Sequence, residues 1–207
     1  MYTNGEENIS EQVCNALTEL GNIGAGNAAT SLSSMLATKL TMTPPKVGLH
    51  DFDYIENVLD GADNTVVGVL SEIEGVVQGM ILFVIGIEDA KNLVNCLVPS
   101  GTDWKDTMGL SAITEIANIL IGSYVASLET LCGLKLRYSL PQICIDMAGA
   151  VLGIPCTEFG KVSDNAILIN SEFEAGEQKI NGYIMFMAEA HSFDVMLNKL
   201  GIGGTNE

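Results

Sequence analysis

Basic residues are scarce. Only 9 of the 207 residues are Lys or Arg, against 26 Asp or Glu, for a formal net charge of −17. A surface that grips phosphates or an anionic bilayer needs clustered cations, and nine scattered ones cannot build it, so neither nucleic acid nor membrane insertion is expected. Long hydrophobic runs are also missing: the longest apolar stretch, Met80 to Ile87, is far shorter than the roughly 20 residues that cross a bilayer. The first eight residues, with Glu6-Glu7 among them, have neither the cationic nor the apolar region of a signal peptide, and the expected localisation is cytoplasmic. Histidine occurs twice, as His50 and His191, far apart and outside any HExxH-type spacing. The five cysteines, Cys14, Cys96, Cys132, Cys144 and Cys156, are odd in number and form no CxxC pair, which reads as reduced, buried thiols. No cofactor or metal held by this chain is expected.

What the chain has is apolar content, 47% hydrophobic residues with 17% charged, enough for a packed core despite the net charge. It also repeats. Shifting the sequence by 96 residues lays Asn15–Pro45 on Ser111–Pro141 with 11 of 31 positions identical, among them Thr18/Thr114, Glu19/Glu115, Asn22/Asn118, Gly26/Gly122, Ser31/Ser127 and Pro45/Pro141. Further on, Ser71-Glu72, Gly79 and Phe83 correspond to Ser171-Glu172, Gly182 and Phe186. The halves run over about 10–99 and 106–203, joined at Pro99-Ser100-Gly101-Thr102-Asp103, and together fill one domain over 1–207. Each half reads as a long helix, an extended Lys-Leu segment ending near proline, two strands and a closing helix. The strands are expected at Thr65–Glu74, Val76–Ile85, Ala166–Glu174 and Lys179–Met187, rich in Val and Ile and paired antiparallel through short turns. The expected fold class is α/β of the α+β type: a pseudo-two-fold domain with one shared antiparallel sheet and two long helices packed on it.

At about 100° per residue, Val13, Leu17, Leu20, Gly24, Ala28, Ser31 and Met35 share the core face of the first helix. Asn15, Glu19, Asn22 and Gly26 share the opposite face. In the second helix Ser111, Glu115, Asn118 and Gly122 do the same, opposite Ile113, Ile116, Leu120, Tyr124 and Leu131. A single exposed helix face carries Glu and Asn simply because it must be polar. Here the duo recurs while other surface positions diverge, as at Ser33/Glu129 and Thr41/Arg137. Beside each duo a glycine interrupts the helix at a cost of about 1 kcal/mol relative to alanine, leaving room for a foreign backbone. A carboxamide has no useful pKa but orients a water through its acceptor oxygen and donor hydrogens, and a carboxylate three residues earlier pairs with a partner's lysine. Such a set suits hydrolysis of a labile acyl phosphate whose metal another protein holds.

The spacing Ser111-x3-Glu115-x2-Asn118-x22-Pro141, its first copy Glu19-x2-Asn22-x22-Pro45, the run Leu20-Gly-Asn-Ile-Gly-Ala-Gly26 and Ile145-Asp-Met-Ala-Gly-Ala-Val151 resemble the CheC-type phosphatases of bacterial chemotaxis along the whole chain. The resemblance implies an α/β/α fold with the sheet shared between halves. It implies hydrolysis of the phosphoaspartate of the response regulator CheY, Asn22 or Asn118 orienting water and Glu19 or Glu115 contacting the receiver's lysine. It also implies Mg2+ supplied by the receiver, and a second partner, the deamidase CheD. The first copy departs from the family at Asn15, where Asp or Ser is usual, so the Glu115/Asn118 site ranks above Glu19/Asn22. Asp146 is read either as an acid at a strand end that contacts CheD or as a turn former. The alternative function is a non-catalytic adaptor that sequesters a receiver, CheD or a flagellar-switch component.

Two features carry less. Gly24-Ala25-Gly26-Asn27-Ala28-Ala29 fits a dinucleotide-binding pattern, but it falls inside a helix that is already running, and the repeat puts Leu120 at the first glycine. Met35, Met80, Met185, Met187 and Met196 read as core filling, and Glu6-Glu7 and Glu172-Phe173-Glu174 as solvated surface.

Overall fold

The order helix, short strand, strand, helix, strand, strand, helix runs through the chain twice. In the computed structural model, which describes residues 11–35, 40–98, 101–159, 164–175 and 178–200, the first pass is α1 (Glu11–Met35), β1 (Leu40–Met42), β2 (Lys46–Asp51), α2 (Phe52–Val58), β3 (Thr65–Gly75), β4 (Gly79–Gly86) and α3 (Ile87–Leu97). The second is α4 (Thr107–Cys132), β5 (Leu136–Tyr138), β6 (Gln142–Met147), α5 (Ala148–Phe159), β7 (Asn165–Ala175), β8 (Gln178–Ala188) and α6 (Ala190–Lys199). Glu6-Glu7, Lys39, Pro99-Ser100 and the side chains of Val13, Cys14, Met35 and Phe173 lie outside the described set.

The strands form one eight-stranded sheet in which every pairing is antiparallel. Its path crosses between halves. Strands β1 and β2 of the first half pair with β7 of the second, while β5 and β6 of the second pair with β3 of the first. The halves meet where β4 pairs with β8, and there Leu82 lies opposite Met185. Residue 185 stands 103 beyond 82, the offset that relates Phe83 to Phe186. A residue opposite its own counterpart marks a pseudo-two-fold axis at that pair.

Strand side chains alternate between two apolar layers. Val67, Val69, Ile73, Ile81, Phe83, Ile85, Ile167, Ile169, Ile184 and Phe186 are buried toward α1, α3, α4 and α6. Val66, Leu70, Met80, Leu82, Val84, Leu168, Met185 and Met187 are buried toward α2 and α5. Each such side chain contributes roughly 1.5–3 kcal/mol relative to exposure, and the two layers make an α/β/α arrangement. Glycine ends α4: Gly133 takes φ 63°, ψ 27°, the left-handed conformation that terminates a helix at low cost.

The order read for each half, from the proline-bounded segment to the paired strands, lacks two elements that the structure contains, although the strand end at Asp146 belongs to one of them, β6. Strands β2 and β6 and helices α2 and α5 intervene. Helix α2 spans only seven residues, with Ile55 its one fully buried side chain, too short for a legible period. It starts where Asp51 Oδ1 accepts a hydrogen bond from Tyr54 N–H at 2.8 Å. Helix α5 contains Gly149, Gly153 and Pro155, which mask a helix in a sequence. Ser31 also differs from expectation: it is exposed, whereas its repeat Ser127 is buried. Helix α4 sits deeper than α1, and Ser127 donates to the carbonyls of Tyr124 (3.0 Å) and Leu20 (3.4 Å). Cys132 is buried as expected, but Cys96 and Cys144 are only partly covered and Cys156 is exposed.

Candidate functional site

Helices α1 and α4 lie side by side on one face of the sheet and run antiparallel. Leu20 is level with Ser127, and Gly24 faces Tyr124 so closely that a Cβ there would sit 2.2 Å from the ring. Farther along, Thr30 and Ser31 share an open groove with Asn118 and Gly122. The inward faces carry Leu17, Leu20 and Ala28 from α1 and Ile113, Ile116, Leu120 and Tyr124 from α4, all buried. The two outward faces therefore look in the same direction.

On those faces Asn15, Glu19, Asn22 and Gly26 are exposed, as are Ser111 and Glu115, while Asn118 and Gly122 are partly covered. Among the described residues, the side chains of Glu19, Asn22, Glu115 and Asn118 have no hydrogen-bond or ion-pair partner. Three neighbouring hydroxyls are already engaged: Thr30 Oγ1 donates to the Gly26 carbonyl (2.9 Å), Ser123 Oγ to the Ile119 carbonyl (2.7 Å) and Thr114 Oγ1 to the Leu110 carbonyl (2.8 Å). These two carboxylates and two carboxamides are thus open to a further hydrogen bond without breaking one among the described residues.

The two copies are not identical. The groove around Asn118 is lined in part by Tyr138 from β5, whose hydroxyl approaches Gly122 so closely that a Cβ there would lie 2.8 Å from it. At the first copy Met42 stands in the place of Tyr138, and a Cβ on Gly26 would meet nothing within 4 Å. Sequence reasoning did not single out Tyr138, Asn27 or Thr30. The only signal was the position of Tyr138 inside the repeat, between Lys135-Leu136 and Pro141.

The remaining candidates scatter. Asp146 is the next-to-last residue of β6, exposed, and its Oδ1 accepts a hydrogen bond from the N–H of Met147 at 2.8 Å, with exposed Ile145 and Met147 on either side. Gly24–Ala29 lies within α1, not at a strand-to-helix turn, so the dinucleotide pattern has no site. Met80, Met185, Met187 and Met196 are buried. Among the described residues no group of three or more His, Cys, Asp or Glu is placed to hold a metal ion. Burial pushes the Cys132 thiol up to about 11, with Lys199 opposing, so it stays protonated at neutral pH. Burial lowers the pKa of His50, with Asp51 opposing, and its ring stacks on Tyr54 at 4.0 Å. Helix α4 has the length and hydropathy of a membrane span, but half of that window is buried against the protein's own core.

Fold and site together define a class: an internally repeated α/β/α protein that presents two helical Glu–Asn duos to solvent. A CheC-like family model matches residues 13–49 and 108–145, both motif-bearing segments. The CheY-P phosphatase CheC of Bacillus subtilis (strain 168) is 30% identical over 201 residues, 93% of this chain and 96% of that protein. The chain belongs to the CheC-like family. Among solved structures, FliY from Thermotoga maritima aligns with a TM-score of 0.68 at 24% identity, covering 93% of this chain and 97% of that one. The FliM middle domain from H. pylori aligns with a TM-score of 0.63 at 11% identity, covering 92% and 99%. Both show the shared fold.

Proposed function

We propose that this chain is a phosphatase that hydrolyses the phosphoaspartate of the chemotaxis response regulator CheY in the cytoplasm. The observation that carries the reading is the pair of outward-facing Glu–Asn duos, exposed except for a partly covered Asn118, that have no partner among the described residues, in a relative of CheC. On docking, Asn118 or Asn22 enters beside the acyl phosphate. Its carboxamide oxygen accepts a hydrogen bond from a water and aims the water's lone pair in line at phosphorus. The water oxygen bonds to phosphorus, the bond from phosphorus to the acyl oxygen breaks, and the aspartate leaves as carboxylate with inorganic phosphate. The water's proton passes to phosphate or solvent. Glu115 or Glu19 accepts from the receiver's lysine and fixes the register. Mg2+ held by the receiver, not by this chain, would supply charge neutralisation at the phosphoryl group. Ser111, Asn15, Gly122 and Gly26 shape the contact, and Asp146 with its apolar neighbours belongs to the surface that meets CheD.

Loss of label from radiolabelled CheY phosphate with magnesium, with and without CheD, tests this directly. Asn118→Ala should slow hydrolysis tenfold or more at that site with little loss of receiver binding, and Asn118→Ala with Asn22→Ala should reduce it to the receiver's own rate. An unchanged rate in the double variant removes the enzymatic reading. The second reading, an adaptor that sequesters a receiver, CheD or a flagellar-switch component, draws on the fold shared with FliM. It expects receiver binding without any protein-dependent phosphate release.

A further inference from the structure

Two sites on one face raise the question of how many receivers the protein holds at once. We propose that the Glu19/Asn22 and Glu115/Asn118 sites are mutually exclusive, so that one molecule engages a single phosphorylated receiver at a time; this rests on the phosphatase reading above. The geometry follows from the antiparallel pairing of α1 and α4. Asn22 lies between Leu20 and Gly24, and those residues are level with Ser127 and Tyr124. Asn118 is six to nine residues farther along α4 and level with Thr30 and Ser31. At 1.5 Å per residue that is about 9–13 Å along the axis, and packed helices stand about 8–10 Å apart. The two asparagines are thus separated by roughly 12–17 Å.

A receiver cannot fit in that interval twice. A specific interface covers about 800 Å² per partner, a disc of roughly 16 Å radius, so a footprint centred on one asparagine reaches the other. A globular domain of about 100 residues has a radius of gyration near 13 Å, hence a width above about 30 Å. Since both duos look outward from the same side of the sheet, two receivers would claim the same volume. The repeat therefore gives a partner two docking orientations, related by the pseudo-two-fold, rather than two simultaneous seats.

Stoichiometry tests it. The full chain is titrated with the receiver carrying beryllofluoride and Mg2+ in place of the acyl phosphate, and the mass of the saturated complex is read by sedimentation velocity. One receiver per chain is expected for the unaltered protein. Glu19→Arg and Glu115→Arg, each of which repels the receiver's lysine at one exposed position, should still bind one receiver each, with association constants lowered about twofold for sites of equal strength. Two receivers on the unaltered protein, falling to one in either single variant, would overturn the exclusion. One receiver on the unaltered protein but none on a single variant would also overturn it, because only one site would then be competent. Absence of any binding to the unaltered protein, with its fold intact by circular dichroism, would instead overturn the phosphatase reading and this inference with it.

Discussion

Ser71 and Ser171 occupy corresponding places in the two halves, and both are buried. Ser171 Oγ lies 3.3 Å from the Tyr124 hydroxyl, whereas Ser71 Oγ has no partner among the described residues. The difference traces to one substitution in the repeat, since the position of Tyr124 in α4 is held in α1 by Ala28, which is fully buried. The Tyr124 hydroxyl keeps its proton, because burial raises its pKa more than the Ser171 contact lowers it. An unpaired buried hydroxyl costs about 1–3 kcal/mol, and removing it is often neutral or favourable. Ser71→Ala should therefore leave the urea midpoint unchanged or raise it, while Tyr124→Phe should lower stability by about 1 kcal/mol by stranding the Ser171 hydroxyl. A clear loss of stability in Ser71→Ala would contradict this account. Neither serine's environment was legible in the sequence, where they are the same letter in the same pattern.

At the scale of the element, the glycines of α1 separate packing from docking. Both Gly24 and Gly26 cost the helix about 1 kcal/mol relative to alanine, and the helical wheel already places Gly24 inward and Gly26 outward. A methyl at Gly24 would strike the Tyr124 ring, so Gly24→Ala should lower stability by about 1–3 kcal/mol in spite of its better propensity. Gly26→Ala meets open space and should raise the melting temperature by a few degrees. It should also reduce phosphate release by the first site, measured in an Asn118→Ala background, because the methyl stands beside Asn22 on the face a partner must approach. A stabilised protein with undiminished first-site activity would show that no backbone comes close there. The long helices were readable because 25 and 26 residues sample the 3.6-residue period many times. Helix α2, less than two turns, samples it too few times.

For the whole molecule, the exchange of strands makes each half a poor independent unit. Residues 1–99 alone would leave β3 without β5 and β6, β4 without β8, and β1 and β2 without β7. Open edges with buried-type side chains on both faces invite association. Segments 1–99 and 100–207 expressed separately should each lack a monomeric cooperative unfolding transition, and should recover one when mixed, as followed by circular dichroism and size-exclusion chromatography. A half that folds as a stable monomer would contradict the exchanged sheet. The same exchange places α1 and α4 side by side, so the distance between the two candidate sites is a property of the entire sheet rather than of either half.

The amino-acid sequence by itself determined the repeat, the four long strands of the sheet, the inward and outward faces of the two long helices, and the Glu–Asn duos they present. Each of these is encoded by a local period, which needs only a stretch of chain and its neighbours in sequence. Which half lends its strands to which, the antiparallel contact of α1 with α4, the approach of Tyr138 to Gly122 and the different fates of Ser31 and Ser127 were decided by tertiary structure. Two near-equivalent repeats offer near-equivalent partners at every strand edge, and only closure of the complete sheet about the Leu82–Met185 pair selects between them.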